Sequence, residues 1–191
     1  MNDHAALLLI DLQNDFCANG SLAVPEGDCV IAIANRLMPY FKTIIATQDW
    51  HPVNHASFES TWPVHCVQNS VGAQLHADLH KEKITKIIYK GTDVAIDSYS
   101  AFYDNDHIKS TGLTDWLRQH AISILYVMGL ATDYCVKFSV LDAIADGFVV
   151  YLIEDGCRGI NIEKHDIENA VRQMQDTGAH IILSTHMTGA L

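Results

Sequence analysis

The sequence predicts an α/β fold, three layers deep, with a central six-stranded, mainly parallel sheet. Three observations predict it. Six short apolar runs, at residues 5–10, 43–47, 86–89, 122–128, 148–153 and 180–183, are nearly continuous in Leu, Ile, Val and Ala. They do not alternate with polar residues, which is how strands buried on both faces read. Amphipathic stretches lie among them, and strand–helix succession implies a parallel sheet covered on both sides. The expected architecture is a Rossmann-like αβα sandwich.

Each element has its own signal. Residues 5–10 form the first strand and run into Asp11. An amphipathic helix over 30–41 leads to the second strand, which runs into Gln48 and Asp49. The third strand ends at Lys90-Gly91. A helix over 114–120 has Thr114 or Asp115 as its expected cap. The fourth strand ends in Gly129-Leu130-Ala131-Thr132-Asp133-Tyr134-Cys135, so Thr132 or Asp133 is the expected N-cap of a helix over 135–145. Helices over 135–145 and 163–176 stop near Gly147 and Gly178, where left-handed C-caps belong. Two long segments, 48–83 and 91–110, break the pattern. Loops of that length in a compact domain are usually functional.

Composition bounds the function. The chain has 191 residues, the size of one domain spanning 1–191, and no repeat or linker divides it. Hydrophobic residues make up 49% and charged residues 18%, which excludes disorder. A net charge of -11 argues against nucleic-acid binding, which needs a basic face. No apolar run reaches the length of a membrane helix. Neither a secretory signal nor a C-x-x-C pair is visible among 5 cysteines, so a cytoplasmic chain with reduced thiols is expected.

Ligands of open parallel sheets bind beyond the carboxyl ends of strands. Asp11, Asp49, Lys90 and Cys135 all follow strands and are expected to converge on one crevice. Cys135, in the first turn of a helix, would have its thiolate favoured by the helix N-terminus and by a nearby Lys90. The ordinary alternative is a small buried cysteine and a strand-end lysine. Asp49-Trp50-His51, followed by His55 and then His65, offers donors suited to zinc or ferrous iron. The remaining histidines carry no such context. Phe16, Trp50, Trp62, Tyr99 and Tyr134 are candidates to clamp a flat ligand, with core packing the alternative favoured for Trp50 and Tyr134.

Five motifs together resemble a known family. They are Ile10-Asp11-Leu12-Gln13-Asn14-Asp15-Phe16, Thr47-Gln48-Asp49-Trp50-His51-Pro52, Trp62-Pro63-Val64-His65-Cys66-Val67, Tyr89-Lys90-Gly91 and the segment from Gly129 through Cys135 to Val136. In this order they are similar to the nicotinamidase/pyrazinamidase group of isochorismatase-like cysteine hydrolases. The resemblance implies a catalytic triad of Asp11, Lys90 and Cys135. It implies one divalent metal ion, zinc or ferrous iron ahead of manganese, on Asp49, His51 and His65. It implies an oxyanion hole from the N–H groups of Ala131 and Cys135, with a cis peptide at Leu130–Ala131. Phe16 and Trp62 would sandwich the substrate ring, with Tyr99 close by. The loop between the metal segments is short, and neither His55 nor Glu59 matches the family's occasional fourth ligand.

The implied reaction is hydrolysis of nicotinamide, and of pyrazinamide, through a cysteine thioester in NAD salvage. A different small-amide hydrolase of the same family, carbamoyl-type or isochorismatase-like, is the alternative. The implied partner is a small molecule, with no nucleic acid and no membrane, in a chain free to form a homo-oligomer.

Overall fold

The computed structural model describes residues 3–188. The first strand, β1 (Ala5–Ile10), is wholly buried. Helix α1 (Cys29–Leu37) follows and tightens into a 3-10 turn at Met38–Tyr40, so the expected helix over 30–41 ends early in regular form. Pro39 explains the change, because its ring removes a backbone donor. Next come β2 (Thr43–Asp49), the one-turn α2 (Ser57–Ser60), β3 (Lys86–Lys90) and α3 (Leu113–Gln119). The order closes with β4 (Ile124–Leu130), α4 (Lys137–Ala145), β5 (Val149–Arg158), α5 (Asp166–Thr177), β6 (His180–Ile182) and α6 (Thr185–Thr188).

The six strands form one sheet in the order β3-β2-β1-β4-β5-β6, and every pairing is parallel. The expected "mainly parallel" sheet is therefore entirely parallel. Strand order reverses direction between β1 and β4. By the right-handed rule for parallel crossovers, α1, on the connection from β1 to β2, and α3, α4 and α5, on connections running in the opposite direction across the sheet, cover opposite faces. The crevice beyond the carboxyl ends of β1 and β4 is where such sheets bind ligands.

One glycine makes that end of the sheet possible. Gly129 has φ 134°, and a Cβ there would collide with the backbone of Ile10. The β4–β5 register then slips, from Val127 opposite Leu152 to Gly129 opposite Cys157. This irregularity lets β5 continue to Arg158, well beyond the apolar run that marks it in the sequence.

Two expected caps differ. α3 starts after Gly112, at φ 84°, with no side-chain cap from Thr114 or Asp115. Thr114 instead bonds Asp146 at the end of α4. Among the described residues, no helix is long and apolar enough to cross a membrane.

Candidate active site

Four strand ends bring their polar residues to one point. Lys90, the last residue of β3, is 1% exposed. Its Nζ lies 2.9 Å from Asp11 Oδ2 and donates to Asp49 Oδ1 at 2.5 Å, to Ser98 O at 3.0 Å and to Cys135 Sγ at 3.4 Å. Two buried carboxylates thus share one buried ammonium. Burial opposes the lysine's charge, but Asp11 and Asp49 outweigh it and hold the ammonium well above the usual lysine value.

The two carboxylates are tuned apart. Burial pushes the Asp11 carboxyl up, against the pull of Lys90, and the charge of Asp49 adds to the rise. Asp49 is buried as deeply, but Lys90 and His51 hold it well below the usual carboxylate range. Asp11 is therefore the carboxyl more ready to take a proton. Thr47, two residues upstream of Asp49 on β2, fixes Asp11 from both ends. Its hydroxyl donates to Asp11 Oδ1 at 2.5 Å and accepts the Asp11 N–H at 3.1 Å.

Cys135 is buried beside this group. Burial pushes its thiol well up; Lys90 pulls it down, and Asp11 and Asp49 push it up again. The expected lowering by Lys90 and the helix end is outweighed, because the thiol faces two carboxylates in a dry site. The resting group is a thiol with a carboxylate acceptor nearby.

The turn carrying Cys135 is not a regular helix start. Thr132–Val136 is a π-helical turn in which the Ala131 carbonyl accepts from the N–H groups of Tyr134 and Val136. Neither Thr132 nor Asp133 caps it. The Asp133 carboxylate instead accepts the N–H groups of Ile160 at 3.0 Å and Asn161 at 2.7 Å. It ties the loop after β5 to the cysteine turn. The Leu130–Ala131 peptide is cis. Ala131 and Cys135 thus lie where backbone N–H groups lack intrahelical acceptors.

A second set of donors adjoins the first. His51 Nε2 lies 3.5 Å and His65 Nε2 3.8 Å from Asp49 Oδ2. A backbone bridge pairs His51 with Val67, and this draws His65 alongside from a distant part of the loop. Each ring is held by its other nitrogen, His51 Nδ1 on Gly91 O at 2.9 Å and His65 Nδ1 on Pro63 O at 2.8 Å. Gly91, at φ 62°, leaves room for the His51 ring, which a Cβ would strike. Gln13 brackets Asp49, accepting its N–H and donating to its carbonyl, both at 2.8 Å.

His51 Nε2 is fully buried without a hydrogen-bond partner. An orphaned imidazole nitrogen beside a carboxylate and a second oriented imidazole fits a divalent metal ion. His55 lies tilted against His51, with ring centres 4.2 Å apart, and groups with His51 and Asp97 instead of with the Asp49 set.

A crevice opens onto Cys135, Asp49 and His65. Phe16 packs against His65 on one side, with ring centres 5.6 Å apart. Trp62 Nε1 donates to the Tyr99 hydroxyl at 3.0 Å, and both rings meet Tyr134 edge-on. Tyr134 packs against the core, as expected, and also lines the crevice. Trp50 lies outside the crevice and packs against Tyr89.

Sequence reasoning did not single out Leu22, Val24, Asp97 or Ile160, which complete the lining. They belong to loops without a chemical signature. Thr47 and Gln13 were missed as well, although both stand inside recognised motifs, because their task is to hold carboxylates through hydrogen bonds that only folding creates.

The isochorismatase domain model matches residues 5–186. The nicotinamidase of Escherichia coli K12 is 52% identical over 91% of this chain and 92% of its own length. PnC1 from L. infantum, solved in complex with nicotinate, superposes with a TM-score of 0.92 at 38% identity, covering 97% of this chain and 95% of that one. The pyrazinamidase of Pyrococcus horikoshii, solved in complex with zinc, has a TM-score of 0.84 at 39% identity, covering 94% of this chain and 99% of that one.

Proposed function

This chain belongs to the isochorismatase family, and from that premise we infer that it is an amidohydrolase converting nicotinamide to nicotinate and ammonia, with pyrazinamide accepted in the same pocket. The carrying observation is a buried Cys135–Lys90–Asp11 cluster adjoining the Asp49–His51–His65 donor set, in a chain 52% identical to a nicotinamidase.

In this reading Phe16 and Trp62 hold the pyridine ring and Tyr99 closes its edge. Asp49, His51 and His65 would hold a divalent ion; zinc and ferrous iron suit these donors best, and manganese also fits. Such an ion would supply Lewis acidity beside the substrate ring. Cys135 passes its proton to Asp11 and attacks the carboxamide carbon. Lys90 stays charged and offsets the anions around it. The N–H groups of Ala131 and Cys135 receive the oxyanion, a contact worth about 3 kcal/mol for each donor. Asp11 returns the proton to the departing ammonia, which leaves a thioester on Cys135. Asp11 then takes a proton from water as that water attacks the thioester, and nicotinate leaves with the thiol restored.

The same proposal treats residues 1–191 as one domain, since all six strands join one sheet. It sets the enzyme in the cytoplasm, in NAD salvage, where a reduced Cys135 persists. A small amide is its partner, with self-association of the chain left compatible.

Ammonia release from nicotinamide, with metal analysis on the same sample before and after chelation, tests the reading. Release is expected to stop on chelation and return with added ion, and Cys135→Ala is expected to release none. No release with metal bound would move the substrate to another small amide.

A further inference from the structure

The two loop segments that carry the histidine donors meet at one residue, Cys66. It is fully buried and takes φ 45°, in the left-handed region that a residue with a Cβ occupies at a cost. It directly follows His65, and its carbonyl accepts the His51 N–H at 3.0 Å. The backbone of Cys66 therefore bears on both imidazoles. The peptide before it leaves the His65 Cα, and the carbonyl after it fixes the main chain of His51.

Asp15 holds Cys66 in this conformation. Its Oδ2 accepts the Cys66 N–H at 2.7 Å, and its Oδ1 accepts the Ser21 N–H at 3.3 Å. Asp15 is half-buried in the 3-10 turn Asn14–Phe16 that follows β1. Its own N–H donates to Gly72 O at 3.0 Å. Gly72 leaves room for the carboxylate, which a Cβ at that position would strike. The next residue, Phe16, packs against the His65 ring.

We propose that Asp15 is a positioning residue for the metal donors: through the Cys66 N–H, its carboxylate holds His51 and His65 in the arrangement that an ion requires. This deepens the function proposed above and rests on its assignment of Asp49, His51 and His65 as ligands. Without the carboxylate, a buried N–H loses its acceptor and nothing offsets the left-handed backbone of Cys66. Both histidines are then free to drift from Asp49. Groups that orient metal ligands through hydrogen bonds set affinity strongly, and their loss typically weakens binding about 10–100-fold.

The full chain, stripped of metal and titrated with zinc(II) against a chromogenic chelator, tests this. Asp15→Ala is expected to bind zinc about 10–100-fold more weakly than the unaltered chain. Asp15→Asn keeps an oxygen for the Cys66 N–H without the charge and is expected to recover most of that loss. Gly72→Ala keeps the carboxylate but displaces it, and Gly72 lies outside the left-handed region, so alanine adds no backbone strain. It is expected to weaken zinc binding as well, and it stands in for Asp15→Ala should that variant fail to fold. Thermal unfolding of the metal-free forms is read beside the titration. A purely structural Asp15 would lower that midpoint and leave the zinc affinity of the folded chain unchanged. Unchanged affinity in Asp15→Ala or, where that variant does not fold, in Gly72→Ala overturns the proposal and leaves the ligand assignment standing, as does an Asp15→Asn variant no better than Asp15→Ala. An unaltered chain that binds no zinc overturns the ligand assignment and this proposal with it. None of these readouts depends on amide hydrolysis.

Discussion

Asp11 takes a proton, in the proposed reaction, only while its carboxylate is ionised. Burial raises its pKa, and the Thr47 hydroxyl is one of the contacts that lowers it. The sign follows: activity is lost as pH falls through the Asp11 pKa, and removing a contact that favours the charge moves that loss to higher pH. Thr47→Val is therefore expected to shift the acid limb of kcat/KM upward. It also leaves the buried Asp11 N–H without its acceptor, at a cost of about 1–3 kcal/mol. A pH profile read beside a urea titration separates the two effects. An unshifted acid limb would show that Thr47 only supports the fold. Thr47 and Asp11 sit 36 residues apart, so no motif spacing could have linked them.

Elements follow the sequence where burial is simple. β1 spans its expected residues because its apolar run is buried on both faces. β4 is displaced toward Leu130, and β5 runs on through Glu154 and Asp155, because pairing at the sheet centre holds residues that do not look like strand. Helix starts were the least legible. Residues such as Thr114 and Asp133, which look like caps, are used for tertiary bonds. The β3–loop junction carries a prediction of its own. In Gly91→Ala the added Cβ would strike the His51 ring, and φ 62° would become strained. The variant should hold less metal at equal free ion while keeping its secondary structure, measured by metal analysis and circular dichroism. Full metal content would mean that His51 does not depend on this glycine.

The whole molecule gathers its metal-ligating side chains at one end of an otherwise apolar sheet. An ion on Asp49, His51 and His65 binds the folded chain, so it must stabilise the fold by mass action. At a hundredfold excess over its Kd the gain is about 2.7 kcal/mol. Thermal unfolding is expected to shift upward with added zinc or iron, and His65→Ala should lose most of that shift. An equal shift in the variant would place the stabilising ion elsewhere.

By itself the sequence determined the succession of strands and helices and the residues rich in chemistry. These are local properties: continuous apolar runs report burial on both faces, and motifs lie in contiguous stretches. It determined too that Asp11, Asp49, Lys90 and Cys135 each follow a strand, from which a shared crevice could be expected. The tertiary structure decided the order β3-β2-β1-β4-β5-β6, which sets those strand ends side by side. It decided that His65 reaches His51 through a backbone bridge. It also decided the surroundings of Cys135, where burial and two carboxylates oppose the lowering by Lys90 that the sequence suggested. Pairing between distant strands and the removal of water from a carboxylate pair are long-range effects, and neither leaves a local trace in the chain.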